Sequence, residues 1–244
     1  MNAKMTTSAL MSVFVLTGGC LKNECSEAEI ALEDARQMIW VVSTNQTIGA
    51  IWGTRRVRED LKKIESLKDR RELIEEWSSA LSHMPVEGLS PSNRYGVLRE
   101  ASRMLVWDVA DALLEIGGTY DEVWNEYFQA IEWLDVQCAR MRALALETGG
   151  DYRARRDRWS YYQALAEYRE IIVENIELNR LNESRYPYDA EKMGAIRTRF
   201  EKQIGRPIRR SEDVKHLGFY RRQVGARIQK ERDAELKKAA SHEQ

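Results

Sequence analysis

The feature that most constrains the fold is the spacing of apolar residues, which recur every three or four positions through most of the chain. That spacing places them on one face of an α-helix, whereas a half-buried strand needs strict alternation, which no segment sustains. Prolines are few, four in 244 residues, so long helices are permitted. The pattern predicts an all-α protein of about seven helices, several of them long, arranged as a multi-helix bundle or a short α-solenoid.

Capping residues indicate where three of these helices begin. Ser26 with Glu29, and Thr119 with Glu122, have the spacing of capping boxes, in which each side chain binds the other residue's backbone N–H. Serine followed by proline at 90–91 is typical of a cap and first helical position. These residues predict helix starts just after positions 26, 90 and 119.

Glycine pairs at 117–118 and 149–150 predict two helix ends, because glycine readily adopts the backbone conformation that follows a final turn. His83 lies at the end of an apolar stripe, where we expect it to bind helix carbonyl groups. The stripes themselves predict further helices at 55–84, 151–183, 190–204 and 212–238.

The N-terminus carries a short apolar segment, Ala9–Leu16, preceded by Lys4 and followed by Gly18, Gly19 and Cys20. As a helix, this segment would span about 12 Å, far less than the roughly 30 Å of a bilayer core. A charged start, a short apolar centre and small residues before a cleavage point are the layout of a secretory signal. We therefore expect residues 1–19 to be a signal peptide.

The same segment resembles a bacterial lipoprotein signal, in which the cysteine after the cleavage point is acylated through its thiol. Leu16 lies four residues before Cys20, and Thr17 holds the place three before, where that family has its large aliphatic residue. The resemblance implies lipid attachment at Cys20 and a location in the cell envelope, facing the periplasm or at the cell surface. An aspartate directly after the acylated cysteine resembles an inner-membrane retention signal. This chain has Leu21 at that position, which favours the outer membrane. An ordinary signal peptide and an uncleaved N-terminal anchor are the alternatives.

The other two cysteines allow two interpretations. If Cys20 carries lipid, Cys25 and Cys138 remain, and an oxidising periplasm would permit a disulfide between them. Two separate thiols are the alternative. The chain has no C-x-x-C motif and no Cys–His cluster at the spacing of zinc ligands, so the sequence predicts no metal and no cofactor.

Charge is divided unevenly between the two halves of the chain. Residues 151–244 carry 22 Lys and Arg against 16 Asp and Glu, a net charge of +6, whereas residues 1–150 carry 16 against 23, a net charge of −7. Neither half is extreme enough to predict nucleic-acid binding. We expect four regions: a signal at 1–19, an anchor and linker at 20–25, a main helical domain at 26–186, and a basic C-terminal segment at 187–244, packed on that domain or extending it.

The basic segment is the strongest candidate for a binding surface. Between positions 192 and 230, twelve Lys and Arg oppose three acidic residues, a net charge of +9. Such a surface could bind phospholipid headgroups, lipopolysaccharide or the acidic half of a neighbouring copy; the alternative is that its arginines bridge to acidic helices of the same chain. Nucleic acid is an unlikely partner for an exported, lipid-anchored protein. The candidate arginines are Arg206, Arg209, Arg210, Arg221, Arg222 and Arg227.

An internal echo suggests a helical repeat. "LEIGGTY" at 114–120 returns as "LETGGDY" at 146–152, and "YFQAI" returns as "YYQAL" 34 residues later. The region 104–165 resembles a tetratricopeptide repeat, with Trp107, Tyr120, Tyr127 and Ala130 at favoured positions. The resemblance implies a grooved solenoid, which needs a helix break between positions 133 and 145. A plain bundle with similar Gly-Gly turns is the alternative.

Few residues have the pattern of a catalytic site. Asp108, Asp111 and Glu115 share one helix face, which we interpret as solvated, and the aromatic residues of the middle third are interpreted chiefly as core. The sequence therefore predicts a lipid-anchored envelope protein that acts as a non-enzymatic helical interaction or scaffolding module. One alternative is an envelope enzyme, or its accessory, that acts on peptidoglycan or another glycan through paired carboxylates. A cytosolic helical adaptor is the other.

Overall fold

The computed structural model describes residues 25–45, 47–181, 190–208 and 217–242. Within these ranges the chain is a bundle of helices joined by short turns, which confirms the predicted all-α, multi-helix fold. In chain order the α-helices are α1 (Glu27–Thr44), α2 (Ile48–Gly53), α3 (Val57–Leu61), α4 (Leu67–Ser82), α5 (Pro91–Met104), α6 (Ala110–Glu115), α7 (Tyr120–Leu146), α8 (Tyr152–Asn175), α9 (Ala190–Ile204) and α10 (Phe219–His242).

Short turns of different geometry join some of these helices end to end. A 3-10 turn at Thr54–Arg56 links α2 to α3, and a π-helical turn at Leu105–Val109 links α5 to α6. A second π-helical turn, Ile176–Arg180, extends α8. Counted as continuous rods, the described residues form eight helices, close to the predicted number.

The predicted caps are confirmed. The Ser26 backbone N–H donates to Glu29 Oε2 at 2.7 Å, and the Glu29 N–H donates to Ser26 Oγ at 3.2 Å. The same reciprocal pair joins Thr119 and Glu122 at the start of α7. Ser90 accepts from the N–H of Asn93 at the start of α5. Side-chain caps of this kind satisfy backbone donors that have no partner inside the helix.

The prediction of one continuous helix over 55–84 is wrong, because the structure divides this stretch between α3 and α4. Ser66 Oγ accepts from the Asp69 N–H at 3.2 Å and starts a new helix, while Ile64 turns into the core with 2% of its surface exposed. Ser66 has an extended backbone, so the chain leaves the helical conformation between Leu61 and Leu67. His83 ends α4, with Nδ1 lying 3.0 Å from the Ser79 carbonyl oxygen, as expected.

The helical hairpin of a repeat array does not form. A tetratricopeptide unit needs a break between positions 133 and 145, but α7 runs without interruption from Tyr120 to Leu146. The two Gly-Gly turns end helices as predicted, with Gly117 and Gly150 in the left-handed backbone region at φ values of +75° and +91°. Of the two predicted architectures, the structure is the plain bundle.

Among the described residues, seven aromatic side chains are buried in the core: Trp77, Trp124, Tyr127, Phe128, Trp159, Tyr162 and Phe200. Trp124, Trp159 and Tyr162 are buried, as the sequence analysis expected, whereas Trp107 and Trp133 are half-buried. Helices α7 and α8 pack side by side at the centre, α1 packs against α2, α3 and α4 at one end, and α10 packs along α8 at the other. The two described helices of the C-terminal segment thus pack against the helices before them, α9 on α7 and α10 on α8.

Helix α10 approaches α8 closely at Gly225. A Cβ atom at this position would meet the carboxylate end of the Glu167 side chain, which would have to move to make room. In the described part of the chain, no helix combines the length and apolar composition that crossing a membrane requires.

Candidate functional site

The basic segment meets the rest of the bundle around a cavity of about 400 Å³ between α7, α8, α9 and α10, which we call the junction cavity. Two of the six predicted arginines, Arg206 and Arg227, line it. Its other charged and polar walls come from Asp135, Cys138, Tyr162, Arg169, Glu170, Tyr220 and Gln223.

Arg206 lies inward and is already neutralised. Gly205, with φ of +73°, ends α9 and lets the next residue turn toward α8. Arg206 Nη1 donates to Glu177, and Nη2 lies 3.5 Å from Glu170 Oε2. Its guanidinium stacks 3.7 Å from the ring centre of Tyr220, and only 11% of the side chain is exposed. Arg206 therefore corresponds to the alternative predicted from the sequence, in which the arginines bridge to acidic residues of the same chain.

Glu177 is the buried partner of that bridge. It lies in the π-helical turn that extends α8, and its side chain is fully buried. A π turn inserts one residue into the helix and so changes the direction of the side chains around it. A buried carboxylate without a cation would carry a large desolvation cost, so Arg206 and Glu177 depend on each other.

Arg169 forms a second ion-pair centre in the same wall. Its Nε and Nη2 donate to the two carboxylate oxygens of Asp135 at 2.9 and 3.2 Å, and Nη1 donates to Glu170 at 2.8 Å. Burial by itself would lower the pKa of Arg169, but the hydrogen bond and attraction to Asp135, together with the charge of Glu170, raise it. The positive charges at the base of the junction cavity are therefore balanced by carboxylates.

Cys138 faces this region from α7. Burial, followed by the charge of Asp135, raises the pKa of its thiol to about 12, so the thiol stays protonated at neutral pH and is a poor nucleophile. Cys25 and Cys138 are both half-buried. Cys25 precedes α1, whereas Cys138 lies on α7 against α8.

The remaining arginines of the predicted set lie in different surroundings. Arg221, Arg222 and Arg227 are exposed on α10, and Arg222 Nη1 donates to the Leu217 carbonyl at 3.1 Å. Arg209, Arg210 and the predicted lipid-attachment residue Cys20 lie outside the described residues. The six arginines therefore do not form one described patch.

A separate cationic surface lies along the exposed side of α10. Arg227, Lys230 and Lys237, which we call the basic face, recur at three and seven residues and so share one side of the helix. All three are exposed, while Val224 and Ile228 on the other side pack into the bundle. Among the described residues, none of the three has a carboxylate within ion-pair distance.

Two other cations of α10 differ because each has an acidic partner. Lys238 lies 2.7 Å from Glu235, and Arg232 lies 3.0 Å from Asp233. Glu231 of the same helix accepts from Arg142 of α7. In the C-terminal half of α10, the basic face is thus flanked by charges that are paired.

An acidic surface lies on α1, outside the set of binding residues predicted from the sequence. Glu29, Glu33 and Asp34 are exposed, and Trp40, further along the helix, is 63% exposed. We call the three carboxylates the acidic face. Glu29 and Glu33 lie four residues apart, a spacing that places both carboxylates on one side of a helix and that is present in the sequence.

The acidic trio of the middle third keeps part of its surface in solvent, as interpreted from the sequence, and is also bridged by arginines. Arg58 donates to Glu115 and lies 3.9 Å from Asp111, while Arg103 Nη2 lies 3.4 Å from Asp108. Burial raises the pKa of Asp108, against the attraction of Arg103. The hydrogen bond from Arg58 lowers the pKa of Glu115.

No group of three or more His, Cys, Asp or Glu side chains within the described ranges is placed to hold a metal ion. Comparison of the chain with protein-family models, with curated proteins and with solved structures gives no match.

Proposed function

We propose that the protein is a lipid-anchored bacterial envelope protein that acts as a non-enzymatic helical interaction module, and that the basic face of α10 is its binding surface. The observation that carries this proposal is the contrast between paired and unpaired cations. The junction cavity balances Arg169 and Arg206 with carboxylates, whereas Arg227, Lys230 and Lys237 project into solvent without acidic partners among the described residues.

A row of unpaired cations on a rigid helix favours an acidic partner. Exposed charges of one sign raise the local concentration of oppositely charged surfaces and speed their association. Helix α10 is held in place by its packing along α8. The basic face is therefore presented in a fixed geometry, which is what a binding surface requires.

The anchor proposal rests on the resemblance of the N-terminus to a lipoprotein signal. Six residues separate Cys20 from Glu27, where α1 begins. A segment of that length spans at most about 20 Å when fully extended. A lipid on Cys20 would thus hold the helical body close to the membrane, where partners in the envelope are within reach.

Metabolic labelling with palmitate tests the anchor. The full chain is expressed in bacteria as wild type, as Cys20→Ala and as Cys25→Ala, which provides a matched control five residues away. We expect label and membrane fractionation in the wild type and in Cys25→Ala, and loss of both in Cys20→Ala. Label that persists in Cys20→Ala contradicts attachment at that thiol. An unlabelled wild-type chain that retains Met1 in the soluble fraction would support the cytosolic adaptor instead.

Charge reversal tests the binding surface. The variant carries Arg227→Glu, Lys230→Glu and Lys237→Glu, and the control carries the same change at three other exposed cations, Lys62, Arg153 and Arg156. Envelope partners captured by the wild type and by the control should be lost from the α10 variant. Equal capture by all three chains contradicts the assignment of α10 as the binding surface.

A further inference from the structure

The two charged faces lie on helices that do not neutralise each other within one molecule. Helix α1 packs against α2, α3 and α4, whereas α10 packs along α8. Among the described residues no ion pair joins α1 to α10, and the cation of α1, Arg36, instead approaches Glu72 and Glu76 of α4. The acidic face and the basic face therefore remain open to other molecules.

We infer that the acidic partner of the basic face is the acidic face of a second copy of this chain. This inference rests on the proposed function, and it names the partner of the same surface. Both faces are exposed sides of helices of several turns, 18 residues in α1 and 24 in α10. Three cations on one and three carboxylates on the other give complementary charge, which sets the orientation of an encounter and disfavours partners of like charge.

The acidic side of α1 also offers apolar surface. Trp40 is 63% exposed on the same helix, and an exposed tryptophan can contribute both apolar area and a ring face for a cation. Asp34 and Gln37 border a cavity of about 350 Å³, which Met38 and Val41 also line. The long apolar stems of arginine and lysine pack well against such a surface while their charged ends reach a carboxylate.

Each copy carries both faces, so the contact has two ways to form. Two copies can pair reciprocally, with each basic face on the other copy's acidic face, or copies can join head to tail in a ring or an open row. Exposed ion pairs contribute little individually. Anchors on a common membrane would raise the effective concentration of copies and so support a contact that is weak in solution.

Reciprocal charge exchange in the full chain tests this inference. The first variant carries Arg227→Glu, Lys230→Glu and Lys237→Glu. The second carries Glu33→Lys, Asp34→Lys and Gln37→Lys, which leaves the capping box at Ser26 and Glu29 intact. Each chain is co-expressed in bacteria in two versions with different epitope tags, and one tag is used to capture the other. The three reversals at Lys62, Arg153 and Arg156 again provide the control.

We expect co-capture in the wild type and in the control, and a loss of about tenfold or more in each variant expressed alone. Co-expression of the two variants should restore co-capture, because the unchanged α1 of the first meets the unchanged α10 of the second, and the reversed α10 of the first meets the reversed α1 of the second. Restoration also shows that both variants are folded. Capture in the wild type should fall as NaCl is raised, since salt screens exposed charges.

Loss without restoration, with a helical circular dichroism spectrum in both variants, overturns the inference and assigns the basic face to a different acidic surface, such as anionic phospholipid. Unchanged co-capture in either variant overturns it as well. Palmitate labelling tests the anchor independently of the self-contact. Labelling of the wild-type chain without restored co-capture supports the anchor and contradicts the self-contact. Restored co-capture without labelling supports the self-contact and contradicts the anchor.

Discussion

Arg206 and Arg227 belong to the same basic stretch of sequence and both line the junction cavity, but their environments are opposite. Arg206 is 11% exposed and lies between Glu177, Glu170 and the ring of Tyr220. Arg227 is exposed on α10, with no carboxylate at ion-pair distance among the described residues. The carboxylates that neutralise Arg206 but not Arg227 come from α8 and its π turn. A run of basic residues in the sequence therefore does not by itself define a basic surface.

The comparison also separates two physical roles for the same side chain. A buried guanidinium has lost its hydration, and its carboxylate partners compensate for that loss. An exposed guanidinium keeps its hydration and contributes little to folding. The junction should therefore respond to mutation through stability, and the basic face through binding.

The largest effect is expected at Arg206. Replacing it by leucine removes a guanidinium from the fully buried carboxylate of Glu177, and we expect the free energy of unfolding to fall by about 3–5 kcal/mol. The exposed counterpart, Arg227→Leu, should change it by about 0.5 kcal/mol or less. Urea denaturation followed by circular dichroism measures both.

A double variant sharpens that test. Arg206→Leu combined with Glu177→Leu removes both charges, and we expect it to recover much of the loss, because an apolar pair of similar volume carries no desolvation cost. Equal stability of Arg206→Leu and Arg227→Leu would contradict the distinction between a buried and an exposed arginine.

A smaller effect is expected from the thiol at the same junction. Cys138 has a pKa of about 12 in the folded protein against an ordinary value of 9.0. Below pH 9 the thiol is protonated in both states. Above it, the unfolded chain loses the proton while the folded chain keeps it, so the free energy of unfolding falls as pH rises, by about 1.4 kcal/mol per pH unit.

Comparison with Cys138→Ala isolates this contribution. Denaturation of both proteins between pH 7 and pH 10 should show a shallower decline above pH 9 in the variant. Curves that stay parallel over this range would mean that Cys138 is open to solvent.

The smallest effect is expected at the flank of the basic face. Arg142 donates through Nε to Glu231 at 2.9 Å, and the two side chains are 49% and 27% exposed. Arg142→Ala should lower the free energy of unfolding by about 0.5 kcal/mol, and the difference from the wild type should shrink in 1 M NaCl. A loss comparable with that of Arg206→Leu would contradict the assignment of this pair to the surface.

Local features of the fold followed from local sequence. The capping boxes at Ser26 and Thr119, and the helix ends at Gly117 and Gly150, depend on residues within a few positions of each other. The apolar periodicity predicts one continuous helix over 55–84, because Ile64 continues the apolar stripe and Ser66 falls within its span. The signal for the division, a serine three residues before an aspartate, was present in the sequence.

The sequence by itself determined that this chain is helical, where most of its helices begin and end, and that its charge is divided between two halves, because these properties depend on side-chain spacing and backbone preferences along the chain. Only the tertiary structure decided that Arg206 is neutralised and that Arg227, Lys230 and Lys237 are open, and that the trio at Asp108 is bridged by Arg58 and Arg103. Whether a charge is paired depends on side chains that packing brings from distant helices, and helical periodicity carries no information about which helices become neighbours.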